Sequence, residues 1–277
     1  MSRVPPIDEA ILRRKGARTT ALVPPDVRRL LDEGRIESVN LCEWLVVDQR
    51  ALAERVFRAC GWPELIGPTQ AALNQLKTPT TPKKMEAIGR TLVAHCTSKT
   101  DVDDAYERLA AHRSDIVRSW ACYLVGLHGA LPLADKLERI RRLAADSNMG
   151  VRETSWMSVR ESLADDLPQA IRLLKPFVKS DDANVRRFAS EATRPRGVWC
   201  RHLTTLKEDP SPGLPLLEPL RSDASKYVRD SVGNWLNDAS KSQPDWVRSL
   251  VRRWRQESDT PETQYIAKRA LRTIGDS

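Results

Sequence analysis

A Val-Arg pair preceded by a polar turn recurs four times in this 277-residue chain, with the valines at positions 117, 151, 185 and 228. The intervals of 34, 34 and 43 residues suit a repeat of two helices with their turns. A degenerate fifth copy has Ile266 in the place of the valine. Because one such unit cannot bury its apolar face alone, neighbouring units are expected to stack. The spacing therefore predicts an all-α protein, built as an α-solenoid of antiparallel helix pairs.

Apolar side chains follow the repeat valines at the spacing of one helical face, i+3, i+4 and i+7. The stripes expected to be buried are Val117, Trp120, Ala121 and Leu124 in one unit, and Val185, Phe188, Ala189 and Ala192 in another. A Ser or Asp residue before each helix is expected to accept the free N–H groups of its first turn. Alternating β-branched runs and hairpin turns are almost absent, so helices are expected throughout.

The chain is expected to form one helical domain over residues 21–277. Within it, residues 21–100 are interpreted as an N-terminal helical cap, and residues 101–277 hold the clear repeats. Residues 1–20 are interpreted as a flexible extension that precedes the domain. Helix starts are expected after the prolines at 24 and 25 and after the Pro/Thr-rich break near residues 78–82.

Composition excludes several classes of protein. No apolar run approaches the length of a membrane span, and the charged N-terminus does not resemble a secretory signal, so a cytoplasmic protein is expected. The five scattered cysteines lack the spacing of a zinc site and are expected to be reduced. Phosphate-binding, dinucleotide, hydrolase and metalloprotease motifs are missing from the sequence. We therefore expect no metal and no cofactor, and a monomer in solution.

An arginine follows every repeat valine, giving Arg118, Arg152, Arg186 and Arg229. One step along a helix turns by about 100°, so these arginines flank the buried stripe and line up from unit to unit. With a formal net charge of +8, such a row suits an anionic partner whose phosphates release counterions on binding. The alternative is structural, with each arginine held by a carboxylate of a neighbouring turn.

Arginine and tryptophan also cluster around the helix end in residues 183–199, "ANVRRFASEATRPRGVW". Arg187, Arg194 and Arg196 accompany Arg186 there, and Trp199 lies just beyond the Pro-Gly break. Trp156 stands four residues after Arg152, so it is expected to share the outward face with that arginine and to meet a ligand. Packing against the next unit is the alternative for Trp156.

Two segments carry a resemblance to a known family. The run "RPRGVW" at 194–199, and the later run "NWLND" at 234–238, resemble motifs of the bacterial HEAT-like-repeat DNA alkylation repair proteins. Within this superfamily of AlkC and AlkD alkylpurine DNA glycosylases, the sequence is most similar to the AlkC branch. The similarity is strong over residues 152–241 and weak before residue 100. It implies a HEAT-like-repeat solenoid, a curved superhelix with a basic concave groove.

The resemblance implies that the partner is duplex DNA with alkylated purines, and that the activity is hydrolytic excision of N3- or N7-alkylated bases. It assigns Asp238 to stabilising the oxocarbenium-like sugar and Trp199 to covering the sugar face, with Trp156 also at the lesion. Residues expected near phosphates are Arg118, Arg152, Arg186, Arg187, Arg194, Arg196, Arg229 and Lys241.

One position departs from the AlkC pattern, because a second catalytic carboxylate of that branch aligns with Trp156. Two outcomes are open for an enzyme that has lost it. The site works with tryptophan and one aspartate, as in the AlkD branch, or the protein is a DNA-binding relative without excision activity. A repeat scaffold that binds another protein is the alternative of a different class.

Overall fold

The computed structural model describes residues 6–197 and 200–275, and all regular secondary structure in those two ranges is helical, without a strand. The prediction of an all-helical chain is thus confirmed. The α-helices are α1 (Glu9–Leu12), α2 (Pro25–Asp32), α3 (Leu41–Val46), α4 (Gln49–Cys60), α5 (Ile66–Asn74), α6 (Thr81–His95), α7 (Lys99–Ala110), α8 (Asp115–Leu127), α9 (Leu133–Ala144), α10 (Met149–Asp165), α11 (Leu167–Leu174), α12 (Ala183–Ala192), α13 (Thr204–Glu208), α14 (Leu214–Leu217), α15 (Lys226–Ser240), α16 (Pro244–Glu257) and α17 (Pro261–Ala270). Short 3₁₀ helices occupy Thr20–Leu22, Pro63–Leu65, Phe177–Lys179, Ser211–Gly213 and Glu218–Leu220.

The helices group into two compact units. The first comprises Met1–Leu131 and Ser147–Ser155, and the second comprises Pro132–Asp146 and Trp156–Ser277. The division falls inside α10. Part of the segment interpreted as a flexible extension is helical, as α1, and Arg14 just after it donates to both carboxylate oxygens of Glu43 at 2.8 and 2.7 Å.

In the first unit, α8 packs between α6 and α7 and carries the first predicted stripe. Its members Val117, Trp120, Ala121 and Leu124 are all fully buried. Gly89 of α6 allows the close approach of these helices, because a Cβ there would lie 2.3 Å from the Cβ of Tyr123 on α8. The predicted stripe is confirmed as core.

In the second unit, α12 packs against α15, and α15 packs against α16 and α17. The α12 stripe of Val185, Phe188, Ala189 and Ala192 is buried, as predicted. On α15, Val228, Val232 and Trp235 occupy the same inner face and are also fully buried. The chain therefore has the stacked helical repeats expected of a HEAT-like solenoid.

Capping by the polar turns is only partly as predicted. Asp182 caps α12 by accepting the N–H of Asn184 at 2.7 Å. Ser114 before α8 and Ser225 before α15 make no side-chain capping bond, so that prediction is wrong at both positions. The N–H of Ser225 instead donates to Asp223 at 2.8 Å. Nowhere in the described part of the chain is a helix long and apolar enough to cross a membrane.

Candidate functional site

The repeat arginines turn back onto the turns that precede their own helices. Arg118 donates to the carbonyls of residues 112 and 113, Arg186 to those of 180 and 181, and Arg229 to those of 223 and 224, at 2.7 to 2.9 Å. Arg152 donates in the same way to the carbonyl of Ser147 at 2.7 Å. The same register in each unit satisfies carbonyl groups that the turn would otherwise leave unpaired. These contacts favour the structural alternative for part of each guanidinium.

Arg186 and Arg118 also bind carboxylates. Arg186 forms a bidentate pair with Asp223 of the next turn, at 2.7 and 3.0 Å, and hydrogen bonding to that carboxylate raises the pKa of Arg186. Arg118 pairs with Glu37 and is only 7% exposed. Glu37 and Asp223 are the acids of these two pairs. Arg118 is thus committed to its own unit, which leaves little of it for a phosphate.

A network of buried charges joins the end of α12 to the end of α15. Arg194 donates to Glu191 at 2.7 Å and to Asp238 Oδ2 through Nε and Nη2, at 2.8 and 2.7 Å. Although burial alone would lower it, the two carboxylates raise the pKa of Arg194. Pro195 and the turn after Ala192 stop α12 here, so Arg194 leaves the helix and reaches α15.

Asp238 is therefore a buried, paired carboxylate and not a solubilising group at a helix end. It is 3% exposed, and Lys241 donates to its other oxygen, Oδ1, at 3.3 Å. Arg196 donates to the backbone carbonyl of Asp238 at 3.3 Å and to the hydroxyl of Ser242 at 2.8 Å. Arg194 and Lys241 thus bind the carboxylate of Asp238, Arg196 binds its backbone carbonyl, and Lys241 is exposed to solvent.

Glu191 is the second carboxylate of this network, and the sequence analysis did not identify it. Burial would raise the pKa of Glu191, but the charges of Arg187 and Arg194 and a hydrogen bond from Ser231 lower it. Arg187 is 8% exposed and its guanidinium lies 4.3 Å from the ring centre of Tyr227. The i, i+4 spacing of Arg187 and Glu191 was a signal for this pair in the sequence.

Arg160 is a further residue that the sequence analysis missed. It is 1% exposed, and it donates to the carbonyls of Ala192 at 2.6 Å, of Arg201 at 3.2 Å, and of Arg194. These three acceptors begin and end the loop of residues 193–203, which carries Arg194 and Arg196. The N–H of Leu203 closes the loop on the carbonyl of Pro195 at 3.0 Å.

The two tryptophans of the predicted site have different outcomes. Trp156 is only 3% exposed, so the expectation that it faces outward with Arg152 is wrong. On α10, Ser155, Ser158, Val159 and Arg160 are buried as well, which shows that this helix is covered around most of its circumference. Trp199 lies outside the described residues. Within the described ranges, no group of three His, Cys, Asp or Glu residues is placed to hold a metal ion.

The lowered pKa of Glu191 gives a pH prediction. Its carboxylate stabilises the fold above its ordinary pKa of 4.5, and this contribution is lost as the pH falls through the lower folded value. Glu191→Gln should therefore flatten the decline in unfolding free energy below pH 4.5, by at most about 1.4 kcal/mol per pH unit. Urea unfolding from pH 6 to pH 3 measures it, with Glu208→Gln at an exposed position as control. A Glu191→Gln curve parallel to that of the wild type contradicts the assignment.

The sequence matches a family of known proteins. The family model described as DNA alkylation repair enzyme matches residues 69–273. The Bacillus subtilis (strain 168) protein YhaZ, which is described as uncharacterized, is 38% identical over 167 residues. That match covers 57% of this chain and 45% of YhaZ, so the chain spans about half the length of this relative.

Three solved structures are similar to this chain. The alkylpurine DNA glycosylase AlkC of Pseudomonas fluorescens, bound to DNA containing an abasic site analog, matches with a TM-score of 0.65 and 27% identity, over 80% of this chain and 59% of AlkC. The protein smu.31 of Streptococcus mutans UA159 matches with a TM-score of 0.56 and 25% identity, over 80% of this chain and 98% of its own. AlkD2 of Streptococcus mutans, at 24% identity and a TM-score of 0.60 over 77% of this chain and 98% of AlkD2, supports the fold alone.

Proposed function

The chain belongs to the DNA alkylation repair enzyme family, and from that premise we propose that it binds duplex DNA and excises N3- or N7-alkylated purines as a DNA N-glycosylase. The observation that carries the proposal is Asp238, a buried carboxylate that Arg194 and Lys241 hold in place. The similarity to AlkC, whose structure contains DNA with an abasic site analog, supports DNA as the partner.

The cations around Asp238 supply the proposed DNA contacts. Lys241 is exposed, and Arg196 and Arg229 are half-exposed. Arg152 is also half-exposed and is proposed as a further phosphate contact. Arg187 is buried and pairs with Glu191 of the network. Arg118 is buried as well and is not proposed as a phosphate contact. Phosphates of a bound duplex compete with Asp238 for Lys241, because an oxyanion with several acceptors is a stronger partner for an exposed ammonium.

Releasing Lys241 leaves the carboxylate of Asp238 with more uncompensated negative charge. An N3- or N7-alkylated purine is already cationic and is a good leaving group, so the reaction mainly needs stabilisation of the positive charge that develops on the sugar. A fixed carboxylate in a site with little water supplies this field without reorganisation. In this proposal Trp199 covers the sugar and Trp156 supports the site from the core.

The excision test compares the wild type with Asp238→Asn on methylated duplex DNA. We expect the wild type to release methylated purine, and the variant to release it at least about tenfold more slowly, since one electrostatic group commonly contributes this much or more. Asp104→Asn is the matched control, because this carboxylate is exposed on α7 and belongs to no proposed site. Equal release by wild type and Asp238→Asn would contradict the role of Asp238.

DNA binding is tested separately by its salt dependence. If the four proposed cations contact phosphates, affinity for a short duplex should fall by roughly two orders of magnitude between 50 and 200 mM salt. Fluorescence anisotropy on unmodified and methylated duplexes measures this fall. No retention of DNA at low salt, or a flat response, would favour a protein-binding scaffold.

A second candidate function, that of a DNA-binding relative without excision activity, has specific support. Asp238 is bound by two cations, and the residue that aligns with the second AlkC carboxylate is a buried tryptophan. In this case the protein recognises DNA but releases no base. Salt-dependent binding with no detectable release by the wild type would select this function.

A further inference from the structure

A second basic site lies on α16, apart from the Asp238 network. Arg248, Arg252 and Arg255 follow one another at i, i+4 and i+7, and all three line one cavity of about 280 Å³. Val251 and Leu271 form its apolar part, and Gln256 completes the lining. Among the described residues that line the cavity, none is acidic.

The fourth arginine of the same helix segment behaves differently. Arg253 pairs with Glu218 and, at 3.3 Å, with Glu257, and its hydrogen bond to Glu218 raises the pKa of Arg253. Glu218 and Glu257 thus serve Arg253, and neither of them lines the cavity. The lining of the cavity is therefore basic and apolar, without an acid among its described residues.

Two of the cavity arginines are held in place by neighbours. Arg248 donates from Nη2 to the carbonyl of Ile274 at 2.8 Å and from Nη1 to Asp245 at 3.2 Å. Arg255 donates from Nε to Gln264 at 3.2 Å. Arg252 lies between them and is exposed. The cavity is therefore flanked by guanidiniums of restricted freedom, which lowers the entropy lost when they bind a ligand.

One donor in this group lacks an acceptor. Arg248 Nε is buried, and in the part of the chain that the structure describes it has no hydrogen-bond partner. A buried donor without a partner is costly, and like charges one turn apart on a helix repel. An anion with several acceptor oxygens would relieve both. Guanidinium groups match phosphate in particular, because their planar forks give parallel hydrogen bonds.

We propose that the cavity lined by Arg248, Arg252 and Arg255 binds a phosphate group. The group belongs either to a free phosphate ester or to the backbone of a DNA strand, since both present the same oxygens. This site is independent of excision, because it uses none of the residues of the Asp238 network.

The test uses the full chain and inorganic phosphate as probe. Isothermal titration is carried out against chloride at equal ionic strength, with the wild type and the double variant Arg252→Gln/Arg255→Gln. We expect wild-type binding with a dissociation constant on the order of 1 mM, and at least tenfold weaker binding by the variant. The matched control is Arg55→Gln/Arg172→Gln, which removes the same charge from exposed positions elsewhere and should bind phosphate like the wild type.

A second experiment, with duplex DNA, distinguishes a free phosphate ester from the phosphate of a DNA backbone. If the phosphate belongs to DNA, the double variant should lower the slope of log affinity against log salt by about two, one per lost contact. An unchanged slope with lost phosphate binding assigns the site to a free phosphate ester.

Circular dichroism melts show whether each variant is folded. Phosphate binding no stronger than that of chloride, or binding that survives in the double variant, overturns the proposal. Neither result depends on base release by Asp238, so failure here and failure of the proposed function are separable.

Discussion

Replacing Arg160 with methionine is expected to lower the free energy of unfolding by about 3–5 kcal/mol. The side chain is almost fully buried and donates to the carbonyls of Ala192, Arg194 and Arg201. Methionine keeps much of the volume and removes every donor. The bond to Ala192 is buried and those to Arg194 and Arg201 are part-buried. An unpaired buried carbonyl costs about 1–3 kcal/mol, so the loss of the three bonds together accounts for the effect.

Urea unfolding at pH 7 measures this loss. Arg201→Met is the control, because that side chain is exposed and pairs only with the exposed Glu161, so a change below about 1 kcal/mol is expected. Arg160→Lys should recover only part of the loss, since an ammonium cannot reproduce the planar fork of a guanidinium. A cost below about 1 kcal/mol for Arg160→Met would show that the 193–203 loop does not depend on it.

Removal of Arg194 is the second large effect. Arg194→Met should destabilise the fold by about 3–5 kcal/mol, because breaking a buried ion pair leaves its partner charge uncompensated. Asp238 would keep only Lys241, and Glu191 would keep Arg187 and Ser231. Urea unfolding of the variant and the wild type at pH 7 measures the difference.

The same network predicts a change of sign in a double-mutant cycle. Asp238→Asn alone should destabilise the protein, since it removes the partner of Arg194. In the Arg194→Met background the same change should stabilise, because it removes a buried charge that has lost its main partner. We expect a coupling energy of about 1–3 kcal/mol. Effects that add to within about 0.5 kcal/mol would contradict a direct link between these two residues.

The repeat valines and their spacing were enough to predict the helical fold. Val117, Val185 and Val228 are all buried on the inner faces that their periodicity indicated. The prediction that Trp156 faces outward was wrong for a physical reason. A single stripe estimates the buried arc of a helix that faces one neighbour, whereas α10 is covered on several sides and buries residues all around its axis. Sequence periodicity cannot show how many neighbours a helix will have.

For the candidate site, the sequence pointed to Asp238 and Arg194 but not to the bond between them. They lie 44 positions apart, and only the packing of α12 against α15 brings them together. Arg160 acts through backbone carbonyls more than 30 positions away. Every residue has a backbone carbonyl, so the sequence does not indicate which ones will accept these bonds. Whether Asp238 and its neighbours act on alkylated DNA stays a prediction, which the release assay addresses.

The bonds of the repeat arginines to their own turns span only five or six positions. Contacts at so short a separation need little loop closure and can form early, before distant segments meet. On the ribosome, each unit can therefore set the start of its helix as soon as it emerges, without waiting for the residues that follow. A gene segment that encodes one repeat would therefore carry these bonds with it.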